Sequence, residues 1–260
     1  MQSERLFKEA PVWQAIGALV GPSVLSVLVM VIYNMTDLFF IGLLKNTALT
    51  AAVAVVGPVF TLASAGATVL GMGGCAVVAG SLGAGDRQDA RCVSSLCGWC
   101  ALLTGVLLAV VLNLFCEPIL YLLGTNAEIL PYATHYLRIL ALGAPAMIFS
   151  VSAASLLRAD GAIRRGLAGN LAGSITNIFL DPLFILGFGW NIAGAAAATM
   201  LGNLVASGIY LHHILRRSEV LSLSPSDALR RPARLGRVLA LGLPNGVSSL
   251  LSGLAGSFSN

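Results

Sequence analysis

The sequence predicts an all-α polytopic membrane protein, and three observations carry that reading. Hydrophobic residues make up 57% of the chain and charged residues only 10%, with a mean hydropathy of +0.88, far from the balance of a water-soluble domain. Apolar runs of about 20 residues or more, the length that crosses a bilayer, recur along the chain. The longest lies between Arg165 and Arg216, where Asp181 is the only formally charged residue in fifty. The basic residues, finally, fall in the short gaps between runs and on one side. With seven runs numbered in order, 13 of the 15 lysines and arginines lie at the N-terminus or in the even-to-odd connections, leaving Lys45 and Arg138. That bias puts the N-terminus and those connections in the cytoplasm.

The first span runs from 11 to about 44, with Pro22 as its expected kink and Asp37 as its only charge. Lys45 closes it on the far side. The second covers about 51–81 and ends in the hydrophilic turn GAGDRQDAR, and the third covers 92–116. EPILYLLGTNAEILPY then reads as a longer acidic connection with a short interfacial helix. The fourth span, about 132–157, ends at RADGAIRR. The fifth and sixth, about 166–186 and 192–215, are joined by the Gly-Phe-Gly-Trp-Asn turn at 187–191. The expected organisation is thus a six-span unit over 1–216, a polar linker over 217–237, and a seventh span over 238–260. LALGLPNGVSSLLSG at 239–253 echoes GALVGPSVLSVLV at 17–29, with Pro244 on Pro22 and Ser248 on Ser26, as if a duplicated half began there.

Several chemistries are excluded. The net charge of +4 is spread over loops rather than gathered on a foldable polar face, so nucleic acid is not a partner; membrane lipid is. Five cysteines form an odd set in apolar surroundings, and the Cys97/Cys100 pair lies within a continuous hydrophobic run, which reads as packing. GMGGC at 71–75 has no Lys-Ser/Thr after it and reads as close helix packing, as do the pairs Gly17/Gly21 and Gly169/Gly173. GAGD at 83–86 formally matches an intramembrane aspartyl protease, but the Tyr-Asp pair such an enzyme needs does not occur. The chain is not read as an enzyme, and no cofactor is expected.

What remains is a polar constellation at membrane depth. Asp37 and Asp181 are the only acidic residues within spans, and a carboxylate there costs on the order of 3 kcal/mol even on lenient scales. Asn177 and Asp181, four apart, share one helix face. Asp181 and Thr199 lie nine residues either side of Trp190, so a tight antiparallel pair sets them at one depth, roughly 13 Å below the turn. Asp37, eight residues before Lys45, lies at about the same level, and Tyr136 is a turn or two in from that surface. Pro182 frees the Ile178 carbonyl nearby. Such an oxygen-rich set, with Asp37, Asn177, Asp181 and Thr199 as its members, suits Na⁺ or a proton and not zinc. Arg138, the one basic residue within a span, is expected to snorkel outward.

The segments YNMTDLFFIG at 33–42, GMGGCAVVAGSLGAGD at 71–86, LLRADG at 156–161 and NIFLDPLFILGFGWNIAGAAAAT at 177–199 resemble the multidrug and toxic compound extrusion (MATE) transporters of bacteria. The resemblance implies half of a 12-helix fold: a six-helix N-lobe bundle plus the seventh transmembrane helix that starts a C-lobe. It implies a multi-pass protein of the bacterial cytoplasmic membrane that exports small cationic organic compounds in exchange for Na⁺ or H⁺. A C-terminal lobe of the same polypeptide becomes the missing partner. The family's cation site falls on Asp37, Asn177, Asp181 and Thr199, with the Ala195 backbone and the Tyr136 hydroxyl beside them, and the hinge of helix 1 falls on Pro22. Two other readings are a lipid-linked oligosaccharide flippase of the same superfamily, which calls for more basic residues in its cavity, and a truncated, non-transporting fragment.

Overall fold

In the computed structural model, residues 12–44 and 46–258 are described, with the side chains of 12–23, 25, 26, 38 and 254–258 left aside. Every regular element among them is helical. Two long helices open the chain, α1 (Val12–Leu43) and α2 (Thr47–Gly83), followed by α3 (Arg87–Leu114) and the short α4 (Cys116–Leu122). Then come α5 (Leu130–Ala159), α6 (Ile163–Pro182, continued by a π-helical turn Leu183–Gly187) and α7 (Asn191–Arg216). The short α8 (Pro225–Arg230) leads to α9 (Arg234–Phe258). Five of these, α2, α3, α5, α6 with its π turn, and α7, are long and apolar enough to cross a membrane. α1 and α9, with 32 and 25 residues, have the length for it.

Local sequence sets the helix ends. Asn46 caps α2, its Oδ1 accepting from the N–H groups of Ala48 (3.0 Å) and Leu49 (3.4 Å). Asp86, the aspartate of GAGD, caps α3 by accepting from Asp89 N–H at 2.9 Å, a structural role that accounts for it. The turn before α6 needs a left-handed residue, which Gly161 supplies at φ 73°.

Helices in lipid gain little from apolar burial against one another, so their association rests on close packing of small residues. The glycines of GMGGC show this directly. A Cβ on Gly71 would press on Ser152 and Ser155 of α5, one on Gly74 on Cys97 of α3, and one on Gly73 on the Val238 carbonyl of α9. Gly242 and Gly246 return the contact from α9, against Val69 and Ala65, so α2 and α9 cross antiparallel with their backbones nearly touching. Gly169 and Gly173 do the same between α6 and α7, under the Tyr210 ring and against Gly202. Gly17 and Gly21 fall among the residues set aside.

α5 is the central helix, packed on α2, α3 and α7. It divides the interior into a core that includes Leu120, Leu137, Ile185 and Ile192 at one end and a core that includes Val93, Leu157, Tyr210 and Val238 at the other. The outside is apolar too. On α3, Leu103, Val106, Leu107, Val110 and Leu114 are all exposed at helical spacing, the reverse of a water-soluble helix and the surface that lipid requires.

The segment between α7 and α9 is docked rather than loose. The linker carbonyls of Ser224 and Leu223 accept from Ser95 Oγ (2.7 Å) and Trp99 Nε1 (3.0 Å) of α3. Asp89, 1% exposed, is held by Ser81 Oγ at 2.7 Å, Arg231 at 2.7 Å and Arg234 at 3.0 Å. α9 begins at Arg234, inside the stretch expected to be linker, because its first turn carries one of these arginines to Asp89.

Candidate functional site

The α6–α7 hairpin positions the polar residues. Pro182 sits at the end of α6 without an N–H to donate, and the helix relaxes into a π-helical turn over Leu183–Gly187. Gly189 (φ 67°) and Asn191 (φ 52°) then take the left-handed backbone that reverses the chain. Phe184, Phe188 and Trp190 stack on one another over this turn, with ring centroids 5.3–5.9 Å apart. Phe188 and Trp190 are exposed, as aromatic residues at a membrane–water interface are. The hairpin is thereby pinned one π turn away from Asp181.

Below that turn, Asn177 and Asp181 of α6 are buried, at 2% and 0% exposure. One orientation of the Asn177 amide satisfies all its neighbours. Its Nδ2 donates to Asp181 Oδ2 at 2.8 Å, and its Oδ1 accepts from the Thr199 N–H at 3.0 Å and the Thr199 hydroxyl at 3.2 Å. Thr199 therefore faces Asn177, one turn deeper than the residue count from Trp190 places it. The hairpin is centred nearer Phe188, midway in sequence between Asn177 and Thr199, than Trp190, and the π turn adds to the offset because its wider coil advances less per residue. Ala195, buried, lies one turn before Thr199 on α7.

α1 packs on α6 and brings Asp37 to the same place. Asp37 is close enough to Asp181, and to the phenols of Tyr33 and Tyr136, for each to feel its charge. Tyr136 comes from α5 and is buried. Four helices thus converge, as the depths along the sequence imply. Tyr33 belongs to the same group, its phenol beside Thr199. It had a legible signal, lying four residues before Asp37 in YNMTD and so on the same helix face.

The electrostatics are unbalanced. Oδ1 of Asp37 and Oδ1 of Asp181 are both enclosed and without a hydrogen-bond partner. No ion pair to either aspartate forms among the described residues. Arg138 is exposed and turned toward Cys116. Two carboxylates with free oxygens, an amide and the hydroxyl-bearing side chains of Thr199 and Tyr33, with no counter-charge among the described residues, are the chemistry that could accept a proton or a small hard cation. Pro22, the expected hinge, lies on α1 among residues whose side chains are not described, and Lys45 lies outside the described residues.

Comparison with known proteins gives likenesses of three kinds, to a family model, to a curated protein and to solved structures. The MatE family model matches residues 22–183. The chain is similar to multidrug export protein MepA of Staphylococcus aureus, 30% identical over 258 residues that make up 98% of this chain and 57% of that protein. Among solved structures it resembles MATE in complex with MaD3S, with a TM-score of 0.86 at 28% identity over 96% of this chain and 56% of the other. MATE in the straight conformation gives 0.85 at 28% identity, over 96% and 56%. The chain spans little more than half the length of the relatives it matches.

Proposed function

The chain belongs to the MatE family, and from that premise we propose that it forms one lobe of an ion-coupled antiporter exporting cationic organic compounds. In this reading residues 1–216 are the N-lobe, 217–237 a cytoplasmic linker, and 238–260 the first helix of a second lobe supplied by further residues of the same polypeptide. The protein spans the cytoplasmic membrane many times with its N-terminus inside. The side carrying the basic connections supports that orientation.

The observation that carries the proposal is the pair of enclosed carboxylate oxygens on Asp37 and Asp181, neither with a hydrogen-bond partner. A proton or Na⁺ entering there meets both aspartates, with Asn177 and Thr199 as neutral ligands. The Thr199 N–H would in a regular helix bond only the Ala195 carbonyl; sharing it with Asn177 leaves Ala195 with acceptor capacity toward the same spot. Tyr136 and Tyr33 offer phenolic oxygens.

The mechanism follows from linkage. With the cation bound, one of the two negative charges is cancelled, α1 is free to bend at Pro22, and a cationic drug is held more weakly. With the cation gone, the negative charge returns and attracts the next drug. Drug and cation therefore bind in competition, and each lowers the affinity of the other by the same factor. An oligosaccharide flippase would need basic residues in its cavity, and the position of Arg138, exposed and away from the aspartates, supports the antiporter instead.

The test is drug efflux from proteoliposomes holding the whole two-lobe polypeptide, under an imposed Na⁺ or H⁺ gradient. Asp37→Asn and Asp181→Asn should each abolish gradient-driven efflux. Efflux that persists in both would overturn the proposal.

A further inference from the structure

At the basic side of the bundle, where α6 begins and α7 ends, the two helices enclose a cleft of about 460 Å³. Its mouth carries Arg165 from α6 and His212, His213 and Arg217 from the end of α7, and among the described residues no carboxylate lines it. Asp160, outside that lining, accepts from Ser218 Oγ at 2.9 Å and stands within ion-pair distance of His213 Nε2, at 3.6 Å. Both ring nitrogens of His213 are enclosed without a hydrogen-bond partner. The inner wall is apolar and open. It includes Val205, and a Cβ on Gly208 would meet nothing within 4 Å.

The cleft has two chemical halves along its length. From Arg217 to Val205 is twelve residues of helix, about 18 Å, which reaches from headgroup level through one leaflet of a hydrocarbon core about 30 Å thick. The positive-inside bias accounts for basic residues in these connections. It does not require them to ring a concavity that lacks carboxylates, above an apolar wall with room left at Gly208. A guanidinium pair matches phosphate oxygens in bidentate fashion, and basic pockets between transmembrane helices suit anionic headgroups.

We propose that this cleft binds the phosphate ester of an anionic phospholipid, held by Arg165 and Arg217 with His212 as a further donor, and with the start of an acyl chain along Val205 and Gly208. The site is separate from the aspartates, and its occupancy does not depend on what the protein transports. It would bind one lipid firmly at the α6–α7 hairpin, which also carries Asn177, Asp181 and Thr199.

Native mass spectrometry on the 260-residue chain in detergent tests this, with phosphatidylglycerol and phosphatidylcholine of identical acyl chains as probes and inorganic phosphate as competitor. Wild type should retain phosphatidylglycerol over phosphatidylcholine by roughly tenfold or more, the effect expected of two basic side chains at a headgroup. Arg165→Ala with Arg217→Ala should erase the preference. Arg87→Ala with Arg230→Ala, which removes the same charge from the same side of the molecule, should keep it. Gly208→Leu, which fills the apolar wall and leaves every charge in place, should lower retention several-fold. Equal retention of the two lipids by wild type, or a preference that the control pair also loses, overturns the proposal. So does full displacement by inorganic phosphate together with indifference to Gly208→Leu, which would assign the cleft to a free phosphate compound.

Discussion

Asn177 donates a 2.8 Å hydrogen bond to Asp181 one turn further along the same helix, and the other oxygen of that carboxylate, Oδ1, is buried without a partner. The amide thus fixes the rotamer of the acid while leaving one lone-pair face open toward Asp37. It also accepts from Thr199, so one side chain ties the two arms of the α6–α7 hairpin to the same spot. Asn177→Ala should leave the fold intact and weaken cation binding by tenfold or more, the usual effect of losing a group that orients a ligand. Titration of tryptophan fluorescence with Na⁺ and with acid, using Trp190 at the hairpin turn, would detect it.

Tyr33 makes a milder prediction. Its hydroxyl lies beside Thr199 and near Asp37. Tyr33→Phe removes one neutral hydrogen-bonding group, worth about 1 kcal/mol, so the cation concentration for half-maximal response should rise about fivefold. Tyr33→Ala, which also removes the ring, should do more. Equal binding by Tyr33→Phe and wild type would place that hydroxyl outside the site.

The α2–α9 crossing depends on missing side chains. Gly242 lies so close to the Val69 carbonyl, and Gly73 to the Val238 carbonyl, that a Cβ at either must push backbone aside. Gly242→Val should destabilise the protein by about 1–3 kcal/mol, the cost of overpacking a close contact. Gly236→Ala, at a glycine whose added Cβ meets nothing, should be near neutral. Thermal unfolding in detergent compares the two.

The linker network has a pH signature. The Asp86 carboxyl is held below the usual carboxylate range by the Asp89 backbone N–H and by Arg231. A folded pKa below the unfolded one gives stability that is present above the unfolded value and is lost as pH falls through the folded one. Stability should therefore be insensitive to Asp86 from neutral pH down to about 4, near the ordinary aspartate value, and decline below it. Asp86→Asn should flatten that acid limb. Asp89→Ala removes the partner that Arg231 and Arg234 share and should lower stability at neutral pH by about 1–3 kcal/mol, the range for hydrogen bonds to a charged group.

These residues also mark what a sequence discloses about such a fold. Span positions were legible because a bilayer imposes length and apolarity on each helix: α7 was expected over 192–215 and runs Asn191–Arg216. The membership of the polar cluster was legible because helix spacing and distance from a turn fix depth. Which residue faces which was not, since the hairpin turn sets Thr199 against Asn177 rather than Asp181, and its centre is not legible to the residue. The docking of the linker was not either. Asp89 meets Arg231 across 142 residues, and nothing local in SDALRRPARLGR distinguishes an arginine that pairs with a buried acid from one left in solvent.

The most direct test is the affinity of the whole two-lobe polypeptide for a cationic drug, measured by isothermal titration while Na⁺ and pH are varied separately. If cation and drug share Asp37 and Asp181, drug affinity falls as one of the two cations rises, and the dependence vanishes in Asp37→Asn with Asp181→Asn. Drug affinity indifferent to both cations in the wild type, or a dependence that survives the double substitution, would contradict it.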